Sequence, residues 1–418
     1  MWLWTTAVTV LSVSLALFLH RRDPLPIYGI YRRPGKFFFF KYWIFRFILY
    51  LRKRQTKKNA GFGFFNKPAE EMDKAQELSD SPKAFDAVFF HAVTQDGFYV
   101  IAGSERRKHN IVNGLFYVVV PGLGLLCSHK IPDTVLFDAK DDTFGAEGIL
   151  AQPLEPMKKW KLSYSGEMWL HINPTKQYRV MFNGVWTSNM PIFNFDTDLN
   201  PHLVASAIAN ESWTPSYFRM LKKAHQSHYE QMGQMEATLA VETETYKLSN
   251  MAAFRDHSFG RERDWNLMHR YVFHMLFLED GTRAAVGAIC QPSTCSVLQT
   301  GYVYMPSGEM CTLEWCDFKL YQHGECGNPP KDYAFRFKAG ERVFCVQVAV
   351  ERESVHYVGW RWEARMVERF VTYRVDGVRG RGVSEWHYHS SRGRPLSASN
   401  QDPAWFSEVM SEYYTQKL

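Results

Sequence analysis

Three stretches of this 418-residue chain repeat one design: an alternating apolar run, an Asp-Gly pair, and a second alternating run. They are AFDAVFFHAVTQDGFYVIAG around Asp96-Gly97, YVFHMLFLEDGTRAAVGAI around Asp280-Gly281, and RMVERFVTYRVDGVRGRGVSEWHYH around Asp376-Gly377. Asp-Gly is a strong hairpin signal, because the mirror-image turns that match strand twist need positive φ. A fourth run, FCVQVAVERESVHYVGWRWEARMVERFVTYRV, alternates for longer. A period of two sends successive side chains to opposite faces, so these runs predict strands with a buried face. The aromatic content of 16% points the same way.

From about Ser81 onward the chain therefore reads as mainly β. One interruption, TPSYFRMLKKAHQSHYEQMGQMEA from Thr214 to Ala237, reads as a helix with Pro215 tolerated near its start. The tetrapeptide SGEM occurs at Ser165–Met168 and Ser307–Met310, which hints at a duplication whose halves are not collinear. The length suits two or three domains of about 100–200 residues each. The expected order is a first antiparallel β-barrel over 81–212, a helical connector over 213–240, a second barrel over 241–395 and a tail over 396–418. Closing a sheet removes its edges, and a barrel of about eight strands can hold one small ligand.

The amino-terminal region has a different character. Trp2 to Leu19 carries no charged side chain. As a helix of about 27 Å it would barely cross a bilayer core. No basic residue precedes this run, as a cleaved signal would have, and HRRDP follows it at once, so a retained anchor over 1–22 is expected. The segment 23–60 is basic and aromatic. Between His20 and Lys58 there are twelve Lys or Arg and one acid, an excess of eleven positive charges. The whole chain carries only +6, which leaves the remainder at −5 and argues against a nucleic-acid partner. The basic side of a single-pass span faces the cytosol, here of the endoplasmic reticulum or another endomembrane. Signal cleavage, with lumenal or secreted barrels, is the alternative. In KFFFFKYWIFRFILYLRKR, cations alternate with rings. That composition suits the headgroup interface, with a second span or a docked core helix as alternatives. Arg21, Arg22, Lys41, Arg46, Arg52, Lys53 and Arg54 are the expected membrane-surface residues, and membrane lipids the expected partner.

The densest polar stretch is FRDHSFGRERDW, Phe254 to Trp265. His257 can give or take a proton near neutral pH, and Asp256 or Asp264 could orient it. The structural alternative is a set of Arg–carboxylate pairs closed by a bend at Gly260. In a strand, Arg255, His257 and Phe259 share one face and Asp256 and Ser258 the other. Asp256 and His257 therefore cannot both enter one barrel without a bulge.

SPKAFDAVFF, NGLFYVVVPGLGLL, DDTFGAEG, EPMKKWKLSYSGEM, HYEQMGQMEA and FRDHSFGRERDW together resemble a family of double lipocalin-type β-barrel proteins. That family includes carotenoid 1,2-hydratase (hydroxyneurosporene synthase), fungal Diels–Alderases and a fungal ceramide-transfer protein. The resemblance runs from about Ser81 to His389 and is nearest to an animal branch. It implies two lipocalin-like antiparallel barrels and, from the hydratase, an Asp–His pair that protonates an isolated C=C bond. Phe259 stands where the family more often has Trp, keeping a ring but losing an N–H donor.

Arg255, Trp265, Trp186, Trp315, Trp360 and Trp362 are the candidate ligand-binding residues, although tryptophans at strand spacing are more often plain core. His387 and His389 share a face, and Asp317 could supply a second acid. Cys290, Cys295, Cys311 and Cys316 are spaced five apart, too wide for a zinc knuckle, so no metal and no cofactor is expected. Two functions from different classes fit. One is a membrane-anchored protein that binds, and may transfer, an apolar lipid or isoprenoid-like small molecule. The other is a hydratase, isomerase or cyclase acting on a hydrophobic polyene or lipid by proton transfer.

Overall fold

The computed structural model describes residues 4, 6, 12–14, 18, 20–58 and 69–415. Helix α1 (Phe38–Lys58) and a single turn α2 (Ala69–Met72) precede the first sheet. That sheet contains β1 (Phe85–Val93), β2 (Tyr99–Arg107), β3 (Ile111–Val120), β4 (Gly124–Ser128), β5 (Val135–Leu136), β6 (Ile149–Glu155), β7 (Lys159–Leu170), β8 (Asn173–Thr187) and β9 (Phe193–Asn194). Helices α3 (Pro201–Asn210) and α4 (Pro215–Lys223) then interrupt it, and β10 (Ser227–Val241) and β11 (Glu244–Gly260) return to it. Strand β11 pairs with β1 along its whole length as well as with β10. The path β11-β1-β2-β3-β4-β7-β8-β10 thus closes on itself as a ring of eight strands.

The second barrel is closed by β12 (Arg270–Leu278), β13 (Arg283–Gln291), β14 (Cys295–Tyr304), β15 (Met310–Cys316), β16 (Asp332–Ala339), β17 (Arg342–Val358), β18 (Ala364–Val375) and β19 (Val378–His389). All three Asp-Gly pairs turn hairpins, namely β1–β2, β12–β13 and β18–β19. Asp376 and Gly377 have φ of 50° and 89°, the paired left-handed conformation that a two-residue turn demands. The two copies of SGEM lie in unlike places, one inside β7 and one in the β14–β15 turn.

The expected helical connector over 213–240 is overturned in most of its length. Thr214 caps α4 by accepting from the Tyr217 amide at 3.1 Å, but the helix stops at Lys223. Gln, Met, Glu and Ala favour a helix locally over QMGQMEA. Pairing on both sides, with β11 and with β8, overrides that preference. Gly233 allows it, because a Cβ there would lie 2.5 Å from the Thr187 carbonyl oxygen and 2.7 Å from the Trp186 ring. The domain limits move accordingly. The first barrel takes 227–260, and the second begins at Arg270 rather than 241.

The amino-terminal expectation is also revised. Most of Trp2–Leu19 lies outside the described residues, and among those described no helix is long and apolar enough to cross a membrane. The 23–60 segment is partly strapped to the barrels. Tyr31 is buried and donates to Glu325 at 2.6 Å, and Arg32 meets Glu211 at 3.0 Å. The 396–418 tail docks as well. Helices α5 (Leu396–Ser399) and α6 (Ala404–Thr415) follow the last strand, and Phe406 packs with Phe137 and Trp360.

Trp160, Trp186, Phe116 and Phe182 fill the first lumen, and Phe335, Phe337, Phe344 and Trp386 crowd the second. A third core joins the outer faces of the two barrels. There Phe193 stacks on Tyr302 with centroids 4.4 Å apart, and Tyr99 donates to the Val371 carbonyl at 3.0 Å. The strands of the first barrel that face this seam are therefore buried on both sides, as β2 and β3 are at every residue.

The close approach of β19 to β12 supplies a test. A Cβ at Gly382 would run into the Met275 carbonyl oxygen, a backbone atom that cannot move aside. Gly382→Val is expected to destabilise the protein by at least about 3 kcal/mol, read as a shifted midpoint in chemical denaturation.

Candidate functional site

Strand β11 decides where the charges of the FRDHSFG stretch go. Its period of two sends Arg255 and His257 into the first barrel and Phe254, Asp256 and Ser258 out toward the second. His257 and Asp256 are chain neighbours on opposite sides of one sheet, as the alternation predicts.

On the inner face the polar groups are closely matched. His257 is fully buried, with Nε2 2.7 Å from Asp86 Oδ1 and Nδ1 2.8 Å from the Tyr229 hydroxyl. That hydroxyl also reaches Asp73 Oδ1 at 2.6 Å, and Arg255 donates to Asp73 at 2.9 Å. Asp86 further accepts from Arg106 at 2.6 Å. The Arg255 guanidinium lies 4.9 Å from the Trp186 ring centroid and 5.5 Å from that of Trp160. Two arginines thus face two aspartates around a ring whose nitrogens are both engaged. Burial works against the Asp73 charge, but Arg255 and the Tyr229 hydrogen bond outweigh it and hold its carboxyl below the usual range. The aspartate that orients His257 is Asp86, and neither Asp256 nor Asp264 takes that part. Arg263 binds Glu105 at 2.9 Å, and Asp264 pairs with Lys83 at the end of the strand.

On the outer face the balance is absent. A cavity of about 340 Å³ lies between the barrels. Ala87, Phe89, Leu115 and Phe254 wall it on one side, and Phe273, Met275, Ile289 and Met366 on the other. That volume is at the lower end of the range of about 300–1,000 Å³ usual for small-molecule sites. Of the seven acids that line it, Glu105, Glu262 and Asp264 pair with Arg263, Lys223 and Lys83, and the remaining four are Asp256, Glu230, Glu368 and Glu385. Among the described residues none of them meets a lysine or arginine within ion-pair distance. The His228 ring lies 3.4 Å from Glu230, and Arg263, bound to Glu105, also lines the cavity. Glu368 and Glu385 are direct cross-strand partners on β18 and β19. Like charges placed this way repel.

Protonation relieves the conflict. Burial, reinforced by Glu230 and Glu385, pushes the Asp256 carboxyl up to about 7. Burial and mutual repulsion raise Glu368 and Glu385, which hydrogen-bond to each other when one holds a proton. The Tyr271 hydroxyl donates to Glu385 at 2.6 Å, and burial beside that carboxylate raises the phenol well above its ordinary value. The site therefore holds neutral carboxylic acids and carboxylates together around an apolar space, which is the requirement for giving and taking protons near neutral pH.

The other expected site residues divide clearly. Trp265 lines the cavity and stacks on His387 at 5.4 Å. His387 is buried beneath Tyr271 and held neutral, its imidazole pushed down by burial to about 3, whereas His389 is exposed. Trp186 is core of the first barrel, and Arg255 lies beside it. Trp315 is half-buried on β15, away from the cavity. Trp360 packs under α6, and Trp362 donates to Asp133 at 2.9 Å while stacked on Tyr357. Asp317 is an outward acid that binds Arg336 at 3.0 Å. Lys41 turns toward the protein, its ammonium donating to the Glu211 carbonyl at 2.6 Å. All seven cysteines are free.

Asp73→Ala would strand Arg255 in the core, so we expect it to cost about 3–5 kcal/mol in urea denaturation. Asp317→Ala removes only an exposed ion pair and the hydrogen bond Asp317 accepts from the Arg336 amide, and should cost about 1 kcal/mol or less in the same measurement.

The crystal structure of a Nitrosomonas europaea protein designated AttH shares this fold. It has 13% identity and a TM-score of 0.52, over 74% of this chain and 93% of that one. Two more distant neighbours are kievitone hydratase of Nectria haematococca and CghA with Sch210972. They have 12% and 8% identity and TM-scores of 0.49 and 0.48, over 76% and 77% of this chain and 92% and 95% of theirs. No sequence among curated proteins matches. The resemblance to double-barrel lipocalin-type proteins is upheld at the level of the fold. By its sequence over residues 6–388, the chain belongs to a family of unknown function, DUF8627.

Proposed function

We propose that the inter-barrel cavity binds a hydrophobic small molecule and transfers a proton to it, as an enzyme of hydratase, isomerase or cyclase type. The observation that carries this reading is the cluster of four acids, none of them ion-paired with a lysine or arginine among the described residues, in a cavity with extensive apolar walls. A passive carrier gains nothing from it, because burying an unpaired carboxyl costs free energy. A catalyst needs it. A neutral acid, Asp256 or one member of the Glu368–Glu385 pair, donates its proton to an electron-rich double bond and becomes a carboxylate. A neighbouring carboxylate then accepts a proton, either from water that adds to the cation or from the carbon next to it. The first outcome is hydration and the second isomerisation. His257 is a positioning residue in this scheme, fixing β11 through Asp86 and Tyr229 so that Asp256 points into the cavity.

Carriage of an apolar ligand without chemistry is the second reading, favoured by the apolar walls. Native mass spectrometry of protein purified in mild detergent separates the two. The wild type should release a molecule with the mass of its substrate or of that substrate plus one water. The double variant Asp256→Asn, Glu368→Gln should hold only the unconverted form. Identical ligands on both proteins, also identical by chromatography, would overturn the catalytic reading and leave carriage.

Asp256 also makes a stability prediction. An aspartate ionises near pH 3.9 in an unfolded chain, whereas here it ionises near about 7. Between those values the folded chain binds the extra proton. The stabilisation from this group is therefore complete below the unfolded value and is lost as pH rises through the folded one. Asp256→Asn should melt several degrees above the wild type at about pH 8, and the gap should close toward about pH 4.

A further inference from the structure

Helix α1 has seven basic residues, no acid, and two apolar faces where a docked helix needs one. The inner face is occupied. Phe45 packs with Trp213, Tyr42 hydrogen-bonds His202 at 2.8 Å, and Lys41 reaches the end of α3. The outer face is a ridge of Phe39, Phe40, Trp43, Phe47, Ile48 and Leu51, spaced along one side of the helix. Phe39, Phe40, Trp43 and Phe47 are 74%, 67%, 65% and 59% exposed, so large rings stand in solvent over about two turns. Exposed apolar surface of this extent marks an interaction site.

We propose that this ridge lies in the headgroup region of an anionic membrane. The charge around it selects that occupant. Arg52, Lys53 and Arg54 are all exposed at the carboxyl end of the ridge, and the helix has no acid to repel phosphate or serine headgroups. The rest of the chain is net negative, so a second copy would meet the basic end favourably but would have to bury it. A lipid surface takes rings and cations together, each at its own depth.

The position of α1 also matters for the cavity. Phe45 on its inner face belongs to the same apolar cluster as Leu298, which lines the cavity. Arg52 lies 3.9 Å from Asp196, the neighbour of cavity-lining Phe195. Docking through α1 therefore sets the cavity wall against the bilayer, where an apolar substrate would be dissolved. That consequence rests on the proposed function, while the docking itself rests on α1 alone.

The test uses the full chain reconstituted on vesicles of brominated phosphatidylcholine, with or without phosphatidylserine. Brominated chains quench tryptophan emission at short range. Comparing the wild type with Trp43→Phe isolates Trp43 from the other tryptophans and keeps a ring in the helix. We expect Trp43→Phe to lose a quenched component that is present in the wild type. That component should be at least halved when phosphatidylserine is omitted or when Arg52, Lys53 and Arg54 are changed to Glu. Equal quenching of the wild type and Trp43→Phe would overturn the proposal. A Trp43 component that ignores both phosphatidylserine and the charge changes would overturn its anionic half. Either failure would leave the cavity chemistry untouched, because neither measurement involves the acids.

Discussion

Strand β11 is covered on both faces from Met251 to Ser258, and the organisation of the site follows from that constraint. Most strands of a soluble sheet can send polar side chains outward to water at no cost. Here the outward face of the first barrel is covered by the second, so the alternation of β11 sorts its polar residues between two buried places. Arg255 and His257 go into a lumen where Asp73, Asp86 and Tyr229 satisfy them. Asp256 goes to a cavity where, among the described residues, no lysine or arginine comes within ion-pair distance of it. One strand thus carries both a closed polar network, which fixes it in register, and a cavity-facing acid, which that register aims.

The contrast between the two faces is electrostatic. Inside the barrel, opposite charges are matched and the groups stay ionised or hydrogen-bonded, which favours rigidity. In the cavity, acids confront acids. The Glu368–Glu385 pair persists because β18 and β19 are held in register by a hairpin and by β12 and β17 on either side. The fold bears the cost of the pair, and protonation lowers it. Under the proposed function, stability is given up where chemistry would be gained, a trade seen at strained functional sites generally.

The fold was legible where local chemistry and tertiary structure agree. The three Asp-Gly turns, the long alternation of β17 and β18, and the two-barrel plan could all be read directly. The helix assigned through Ala237 failed because Met, Gln and Glu carry helical propensity while β10 is held by partners on both edges, one of them, β8, distant in the chain, as in Gln234 with Thr187. The same error hid Glu230, which lay in the supposed helix. His257 stood out, but its partner Asp86 could not be found, since pairing of β1 with β11 joins residues 171 positions apart. Glu368 and Glu385 did leave a signal. Each sits next to large apolar side chains in a strand run, VERFV or VSEWH, that is buried at nearly every position. The tryptophans misled because ring size, which marks core and pocket alike, does not tell one from the other.

The central claim is that neutral carboxylic acids occupy the space between the barrels at physiological pH. Infrared difference spectroscopy of the folded protein measures this directly, because a protonated carboxyl and a carboxylate absorb at well-separated frequencies. The account predicts a buried carboxylic-acid band at neutral pH that weakens in Asp256→Asn and again in Glu368→Gln. A spectrum with every carboxyl ionised at neutral pH, unchanged by both substitutions, would contradict it.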